Sequence, residues 1–356
     1  MTLMRSILLV PAVCLALLAG CAETKYVMRL DPERVASAAQ LVWPAAPEVP
    51  RFRYVGQLTG ERNFMPEDDR RDTAVKIFHW LVGLVGMGND QIILRRPQSG
   101  MTDDAGRIYV TDAGSNAVFV FDQVAGKLHV WEQAEKNRNF VTPVGVAQGV
   151  RGQILVSDAD LGLVFRFDRD GNPLGSFGAG ALTRPTGIAR DPERSRTYVA
   201  DTHAHDIKVF DDEGRLIEVI GQRGEAAGHL NFPTHLAYAE GRLYVTDAMN
   251  ARVQVFDSQG NVTGTIGRRG NFIGNLTRPK GVTVDPSGNV YVVESLHDSL
   301  LVYNNNGNFL MPIGGTGKEI GQFYLPAGVW SDQRGRVYVA DMFNGRIVIF
   351  QYLEAV

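Results

Sequence analysis

The chain has 356 residues, of which 44% are hydrophobic and 21% charged, and its formal net charge is −3 at pH 7. This composition is typical of a folded globular protein and excludes a disordered or fully membrane-embedded chain. The charge balance offers no basic surplus, so we do not expect nucleic acid as a partner.

Residues 1–20 have the pattern of an export signal. Arg5 precedes an apolar stretch, Ile7 to Leu18, that is too short to span a membrane permanently. The stretch ends in L-A-G-C, which resembles a bacterial lipobox. The resemblance implies cleavage before Cys21, acylation of its thiol and, because Ala22 follows, sorting to the outer membrane, facing the periplasm or the cell surface. The alternative is a buried cysteine behind an ordinary signal peptide.

Residues 21–50 are predicted to be a lipidated stalk. Asp31-Pro32-Glu33 is typical of a helix start and predicts a short helix to about Leu41. The prolines of W-P-A-A-P-E-V-P should stiffen the approach to the following domain. Once the signal is removed with Cys14, only Cys21 remains, so no disulfide is expected.

From residue 97 to residue 350 the chain repeats one pattern of about 45 residues six times. Each copy starts at a proline: Pro97, Pro143, Pro185, Pro233, Pro279 and Pro326. Each copy also has an acid nine residues before the aromatic that ends its V-x-V-F strand: Asp112, Asp158, Asp201, Asp247, Glu294 and Asp341. A spacing that is kept in every copy indicates one structural unit repeated along the chain.

The fifth copy indicates what the unit is. Segments of β-branched and aromatic residues separated by turn residues predict four antiparallel strands, at 282–284, 290–293, 300–303 and 309–313. A sheet with two apolar faces must be covered on both sides, so six such sheets packed radially predict an all-β, six-bladed β-propeller. An open solenoid is the alternative.

The sixth copy lacks a fourth strand, because only six residues follow Phe350. Residues 51–60, R-F-R-Y-V-G-Q-L-T-G, have the pattern of an orphan fourth strand. We expect this strand to pair beside Arg346–Phe350, to close the ring and to protect an open sheet edge. The propeller domain is therefore predicted to span 51–356.

The repeat P-x-G-V-x-V-D-x-x-G-x-x-Y-V-x-D-x-x-x-x-R-V-x-V-F-D resembles the NHL repeat. The best copies are Y-V-T-D-A-M-N-A-R-V-Q-V-F-D, the fourth, and Y-V-A-D-M-F-N-G-R-I-V-I-F, the sixth. The resemblance implies a propeller used mainly for binding. It also implies a shared arginine surface, which here is partial because Leu163, Asp206 and Ser299 replace the arginine in three copies.

The motif W-P-x-x-P-x-x-P-R-F-R-Y-V-G resembles that of NHL lipoproteins associated with multihaem cytochromes. That resemblance implies an envelope protein partner, in an electron-transfer complex.

In a propeller, the connections between blades share one face with the loops joining second and third strands. This face carries the predicted binding cations: Arg138, Arg184, Arg223, Arg268, Arg269, Arg278 and Lys280. The hairpin turns on the opposite face are rich in acids, so the field is lopsided. The alternative is that these charges are ordinary solvated turn residues.

Residues 61–96 form an unusually long connection. Within it, Asp72 to Val85 has the pattern of a capped apolar helix that includes Phe78 and Trp80. This helical insert is expected on the basic face, as a lid that plugs the channel, docks a partner or contacts lipid. The alternative is that it packs against its own propeller.

Four histidines come from one junction between blades: His203, His205, His229 and His235. His235 stands where other copies have a glycine, so its ring is expected to point toward the central mouth. Together the four could hold zinc or calcium, which would suit a metal-dependent lyase or hydrolase. Propeller lyases that cleave peptidyl-α-hydroxyglycine resemble this fold and hold zinc with histidines. The alternative is that these are exposed loop histidines.

The sequence therefore predicts a membrane-anchored binding scaffold of the bacterial envelope rather than an enzyme, with no resident cofactor. The repeated acids are interpreted as acceptors that fix turns, not as catalysts. A small anionic ligand at the channel mouth is a third hypothesis.

Overall fold

The structure, a computed structural model, describes residues 25–30, 41–67 and 91–353. The predicted lipobox with Cys21, the predicted helix after Asp31 and the predicted insert helix with Phe78 and Trp80 lie outside these residues. Within the described ranges, no helix has the length and hydropathy needed to cross a bilayer.

Four short strands precede the first repeat: β1 (Tyr26–Met28), β2 (Val42–Trp43), β3 (Phe52–Leu58) and β4 (Phe64–Pro66). A single 3-10 turn, Glu61–Asn63, separates β3 from β4. β1 pairs with β4 in a small sheet, whereas β2 pairs with β3.

The repeats form the blades, each an antiparallel sheet in chain order. Blade one contains β5 (Pro97–Thr102), β6 (Ile108–Asp112), β7 (Ala117–Asp122) and β8 (Lys127–Trp131), followed by a small hairpin of β9 (Gln133–Glu135) and β10 (Arg138–Asn139). Blade two contains β11 (Pro143–Gln148), β12 (Ile154–Asp158), β13 (Leu163–Phe167) and β14 (Pro173–Phe177). Blade three contains β15 (Pro185–Asp191), β16 (Arg196–Asp201), β17 (Asp206–Phe210) and β18 (Leu216–Ile220).

Blade four contains β19 (Pro233–Ala239), β20 (Arg242–Asp247), β21 (Arg252–Phe256) and β22 (Val262–Ile266). Blade five contains β23 (Pro279–Val284), β24 (Val290–Glu294), β25 (Ser299–Tyr303) and β26 (Phe309–Gly314). Blade six contains β27 (Val329–Ser331), β28 (Arg336–Asp341) and β29 (Arg346–Tyr352). Further 3-10 turns are Val150–Gly152, Ala248–Asn250 and Met342–Asn344.

The described residues thus build six blades, and the first strand of each blade contacts the first strands of its neighbours. These contacts run from β5 through β11, β15, β19 and β23 to β27, and β27 returns to β5. The prediction of an all-β, six-bladed propeller is therefore confirmed. The four strands predicted in the fifth repeat correspond to β23, β24, β25 and β26.

The N-terminal strand β3 lies beside the last strand, β29, as its sequence predicts. The register pairs Tyr54 with Phe350 and Leu58 with Ile347. Phe52 and Tyr54 are buried on one face of β3 with Phe350, whereas Leu58 is buried on the other face with Ile347, because the register shifts between Ile349 and Phe350. The fourth strand of blade six therefore comes from the opposite end of the chain.

The sixth sheet extends further back than the predicted domain boundary at residue 51. β2 adds a fifth strand outside β3, and the Trp43 ring lies edge-on to Phe350 with 5.2 Å between centroids. Gly321 is in contact with the same indole, since a Cβ there would lie 2.4 Å from it. The end of the predicted stalk is therefore part of the blade, because its tryptophan covers the apolar rim of the sheet.

The core lies between blades. Second and third strands such as β6, β7, β24 and β25 are buried at every residue, which explains their continuous β-branched and aromatic runs. In blades one, five and six the tyrosine of the second strand is buried, and its hydroxyl donates to the aspartate that starts the preceding hairpin turn. The Oη–Oδ2 distances are 2.6 Å for Tyr291 to Asp285 and 2.8 Å for Tyr338 to Asp332. Such partners remove the cost of burying the hydroxyl.

The repeated acids hold the connections between blades. Asp112 Oδ2 accepts the amides of Arg95 and Arg96 at 2.7 and 3.0 Å, and its Oδ1 accepts those of Gly114 and Ser115. Asp158, Asp201, Asp247, Glu294 and Asp341 accept equivalent amides two residues before their own proline. The prediction that these acids fix turns is confirmed.

The arginines of the best repeats are structural clamps rather than a surface. Arg346 donates from Nε to Asp341 at 2.8 Å and from Nη2 to the carbonyls of Glu319 and Gln322 at 3.1 and 2.9 Å. Its Nη1 also reaches Gln57 in β3 at 3.2 Å. Arg252 repeats the first of these bonds in blade four. The expected arginine surface is thus corrected, because these guanidinium groups are turned inward to satisfy a buried acid.

Candidate functional site

The connections between blades and the loops joining second and third strands form one face, here called the connection face. The residue before each repeat proline surrounds the channel mouth on this face. These residues are Arg96, Thr142, Arg184, Phe232, Arg278 and Leu325. Arginine therefore occupies alternate blades, one, three and five, around the mouth.

Two of the predicted binding cations are paired with acids. Arg138 Nη1 lies 3.6 Å from Glu135, and Arg184 forms an ion pair with Asp160. Two more of these cations form hydrogen bonds to neutral groups: Arg268 donates to Asn275, and Arg269 donates to the Met249 carbonyl. Among the ion pairs of the described residues, none involves Arg223, Arg268, Arg269, Arg278 or Lys280. Their charge is available to a ligand.

Lys280 lies at the neck of the channel, immediately after Pro279. Its backbone is fixed from the neighbouring blade, because Thr246 Oγ1 donates to the Lys280 carbonyl at 2.6 Å. Burial lowers the pKa of Lys280, and the charges of Arg278 and Arg96 lower it further. Arg96 belongs to blade one, and blade six stands between blades one and five. The fields of these three cations therefore converge on the mouth.

Sequence analysis missed Arg96. The available signal was its position, which matches those of Arg184 and Arg278 before their prolines. Convergence with Lys280 was not visible in the sequence, because it depends on the closure of the ring.

His235 is the next residue inward on blade four. Part of the residue reaches solvent, but both ring nitrogens are buried without a hydrogen-bond partner, as is the hydroxyl of the adjacent Thr234. Burial, and then the charge of Lys280, lower the pKa of His235 to about 3, so its ring is neutral at pH 7. Each unsatisfied buried polar group costs about 1–3 kcal/mol. This neck is consequently a place where an incoming ligand would gain hydrogen bonds.

The predicted cluster of four histidines does not form in the structure. His203 is exposed, His205 Nδ1 accepts the Phe232 amide at 3.2 Å, and His229 Nε2 lies 2.6 Å from Gln222 Nε2. No group of three or more His, Cys, Asp or Glu able to hold a metal occurs in the part of the chain that the structure describes. His229 thus bonds to its own connection and His205 to the connection that follows its blade, whereas both His235 nitrogens are without a partner.

A cavity of 590 Å³ opens at the other end of the channel, between the hairpin turns. All six first strands contribute to its lining, and its apolar end is formed by Val146, Ile188, Leu236, Val282 and Val329. Two of the polar side chains around it have protein partners: Arg190 pairs with Asp212 at 2.5 Å, and Ser331 donates to the Val284 carbonyl at 2.8 Å. His235 and Lys280 lie beyond this cavity, on the side of the connection face.

A second cavity, of 840 Å³, lies at the outer rim, far from the channel. It separates the turn at 44–49 from the outer strand of blade five, including Leu310 and Met311. Its lining is mainly apolar, and it brings together no group of reactive side chains. We therefore place the candidate site on the connection face.

The connection face of blades four to six also exposes large apolar side chains. Phe272 and Ile273 are 83% and 77% exposed in the connection R-R-G-N-F-I-G. Others on the same face are Met249, Leu296, Tyr324 and Phe343. Sequence analysis missed this feature, although two adjacent apolar residues between glycines in a connection were a readable signal.

Comparisons with known proteins support the fold. The family DUF5128, described as a 6-bladed beta-propeller, matches residues 229–304, the fourth blade and most of the fifth. No curated protein matches the chain by sequence.

Solved structures with the same fold differ in their functions. Virginiamycin B lyase from Staphylococcus aureus is 13% identical, with a TM-score of 0.54 over 72% of this chain and 95% of that one. An auxiliary nutrient binding protein from Bacteroides ovatus is 14% identical, with a TM-score of 0.59 over 75% and 71%. A gluconolactonase from Xanthomonas campestris is 14% identical, with a TM-score of 0.55 over 76% and 93%. These similarities concern the fold, so function must be argued from the site.

Proposed function

We propose that this protein is a binding propeller of the bacterial envelope, anchored by lipid at Cys21 to the outer membrane, and that it docks an acidic protein partner on its connection face. The observation that carries the proposal is the pair Phe272 and Ile273, both exposed beside the arginines Arg268 and Arg269. Exposed apolar side chains of this size on a soluble surface are typical of interaction sites.

The chemistry of the face defines the partner. Aromatic and aliphatic anchors bordered by arginine are typical of the energetically important centre of a protein interface. Arg223, Arg268 and Arg269 form no ion pair among the described residues, so an acidic partner would supply the missing charge and would be steered toward this face. The stalk motif favours a multihaem cytochrome complex as that partner.

A pull-down from detergent-solubilised membranes of the native host tests this docking. The full chain serves as bait beside the double variant Phe272→Ser, Ile273→Ser. The matched control is Leu174→Ser, Ile217→Ser, which alters two exposed apolar residues on outer strands. We expect the wild type and the control to retain the same partner, and the connection-face variant to lose at least nine-tenths of it.

Haem absorbance of the retained fraction identifies a cytochrome directly. Partner capture should also weaken as salt is raised from low ionic strength, because the arginines contribute through screened charge. Equal recovery by both double variants would contradict docking at Phe272 and Ile273. A retained partner without haem would leave the docking proposal standing but remove the cytochrome assignment.

No observation among the described residues favours the metal-dependent lyase or hydrolase, since the four histidines on which it depended form no group able to hold a metal.

A further inference from the structure

The channel neck contains a cation without a counter-charge and polar atoms without hydrogen-bond partners. Lys280 is a partly buried cation, and no carboxylate forms an ion pair with it in the described ranges. One blade away, His235 buries both ring nitrogens without a partner, and Thr234 does the same with its hydroxyl. A partly buried cation without a counter-charge and three buried polar atoms without partners are costly, and the residues that carry them lie on adjacent first strands.

The repeated acids of the same two blades do not neutralise Lys280. Asp247 and Glu294 have their oxygens occupied by backbone amides and side chains of the connections. The other charges that reach Lys280 are those of Arg96 and Arg278, which have the same sign. The neck is thus electropositive, because the acids of its two blades are bonded to groups of the connections.

The donors suit one chemical class. An ammonium from Lys280, a hydroxyl from Thr234 and an N–H of the neutral His235 ring are offered from two neighbouring first strands. Oxyanions accept several hydrogen bonds at once, and a charge-assisted bond to Lys280 would be the strongest of them. Arg96 and Arg278 add attraction at the entrance without needing to contact the ligand.

We propose that the channel neck of this propeller binds a small oxyanion, such as a carboxylate or phosphate, between Lys280 and His235. The ligand enters from the connection face, because the cavity on the hairpin side ends at the apolar residues that include Leu236 and Val282. The site does not depend on the docking of a protein partner, since its residues lie inside the mouth rather than on the exposed loops.

Titration calorimetry of the detergent-solubilised full chain tests the site, with inorganic phosphate and acetate as probes in chloride buffer at constant ionic strength. We expect the wild type to bind one of these probes at a single site. Lys280→Met should weaken binding by about 10- to 100-fold, the range for loss of a charged hydrogen bond. Lys318→Met, which removes an exposed cation of the same face, should leave affinity unchanged.

Two further variants keep the test decisive. Arg96→Gln changes an exposed residue, so it remains informative if Lys280→Met fails to fold, and we expect it to weaken binding several-fold. Phe272→Ser, Ile273→Ser should bind the probe as the wild type does, which separates this site from the docking surface. If the wild type binds neither probe at about 20 mM, a concentration of the order of a weak Kd, the proposal is overturned. Unchanged affinity in both Lys280→Met and Arg96→Gln overturns it equally.

Discussion

At the scale of single residues, buried ionic groups in this protein hold loops in place. Arg346 shows this most clearly, because one side chain joins Asp341, two carbonyls of the preceding connection and Gln57 of the N-terminal strand. Burial raises the pKa of Asp341 in spite of these bonds, so its carboxylate depends on the guanidinium.

Arg346→Ala should therefore destabilise the protein by about 3–5 kcal/mol, the cost of leaving a buried charge without its partner. Denaturant unfolding measures this change. The control is Arg334→Ala, since Arg334 is exposed and should shift stability by less than about 0.5 kcal/mol. Equal effects of the two substitutions would show that the clamp contributes nothing.

His235 gives a prediction about pH. Its folded-state pKa of about 3 lies below the ordinary value of 6.5, so the unfolded chain binds the proton more readily. The free energy of unfolding should hence fall as pH drops from about 6.5 toward 3, by up to about 1.4 kcal/mol per pH unit from this group.

His235→Gly is the matched variant, because glycine stands at this position in four other blades. Denaturant unfolding between pH 5 and 7.5, in phosphate-free buffer, should show a shallower pH dependence for the variant. Parallel profiles for the two proteins would contradict a depressed histidine pKa.

At the scale of elements, strand β3 completes a sheet built almost entirely from the other end of the chain. It buries Phe52 and Tyr54 in the core between blades five and six and Leu58 in the core between blades six and one, and each such side chain contributes about 1.5–3 kcal/mol through burial. A chain that begins at residue 61 would expose these partners and the free edge of β29.

We expect the chain starting at Glu61 to lose cooperative unfolding or to aggregate, whereas a chain starting at Lys25 should melt as the full mature protein does. Thermal unfolding with light scattering measures both. A soluble, cooperatively folded chain without β3 would show that the ring does not need this strand.

The repeat made the elements predictable. Strands such as β24 and β25 follow from local alternation and turn residues, and six copies of the same spacing left little choice of architecture. The pairing of β2 with β3 and of β1 with β4 was missed, because these segments are short and owe their structure to blade surfaces formed later in the chain.

The site was only partly predictable. The face that carries Arg268 and Lys280 follows from the topology of a propeller, but the role of each charge does not. Arg252 and Arg346 turned out to be clamps, and the histidines formed no metal-binding group among the described residues, because side-chain direction depends on partners from other repeats. The substitution of His235 for the repeat glycine predicts a ring that points toward the central mouth, but its two buried, unsatisfied nitrogens required coordinates.

At the scale of the whole molecule, the proposed anchor and the binding face must act together. Cys21 precedes the first described residue, Lys25, by only four positions, and Tyr26–Met28 already pairs with Phe64–Pro66 on the propeller. The anchor would thus hold the domain close to the bilayer rather than on a long free tether.

Mass spectrometry of the protein purified from its host should find a mature chain that begins at an acylated Cys21. Cys21→Ser should remain unprocessed, because lipid transfer needs the thiol. An unmodified cysteine in the wild type, or normal processing of the serine variant, would contradict lipid anchoring.

The sheet that joins both ends of the chain also dictates an order of assembly. Five blades are contiguous in sequence and can each form as soon as their own residues are available, but blade six must wait until Phe350 can meet Tyr54. Until β29 has been synthesised, the nascent protein is an open ring of blades with two unpaired, aggregation-prone strand edges. The edges of β3 and β28 therefore stay open until β29 is available, and a stop codon before Arg346 would leave both unpaired.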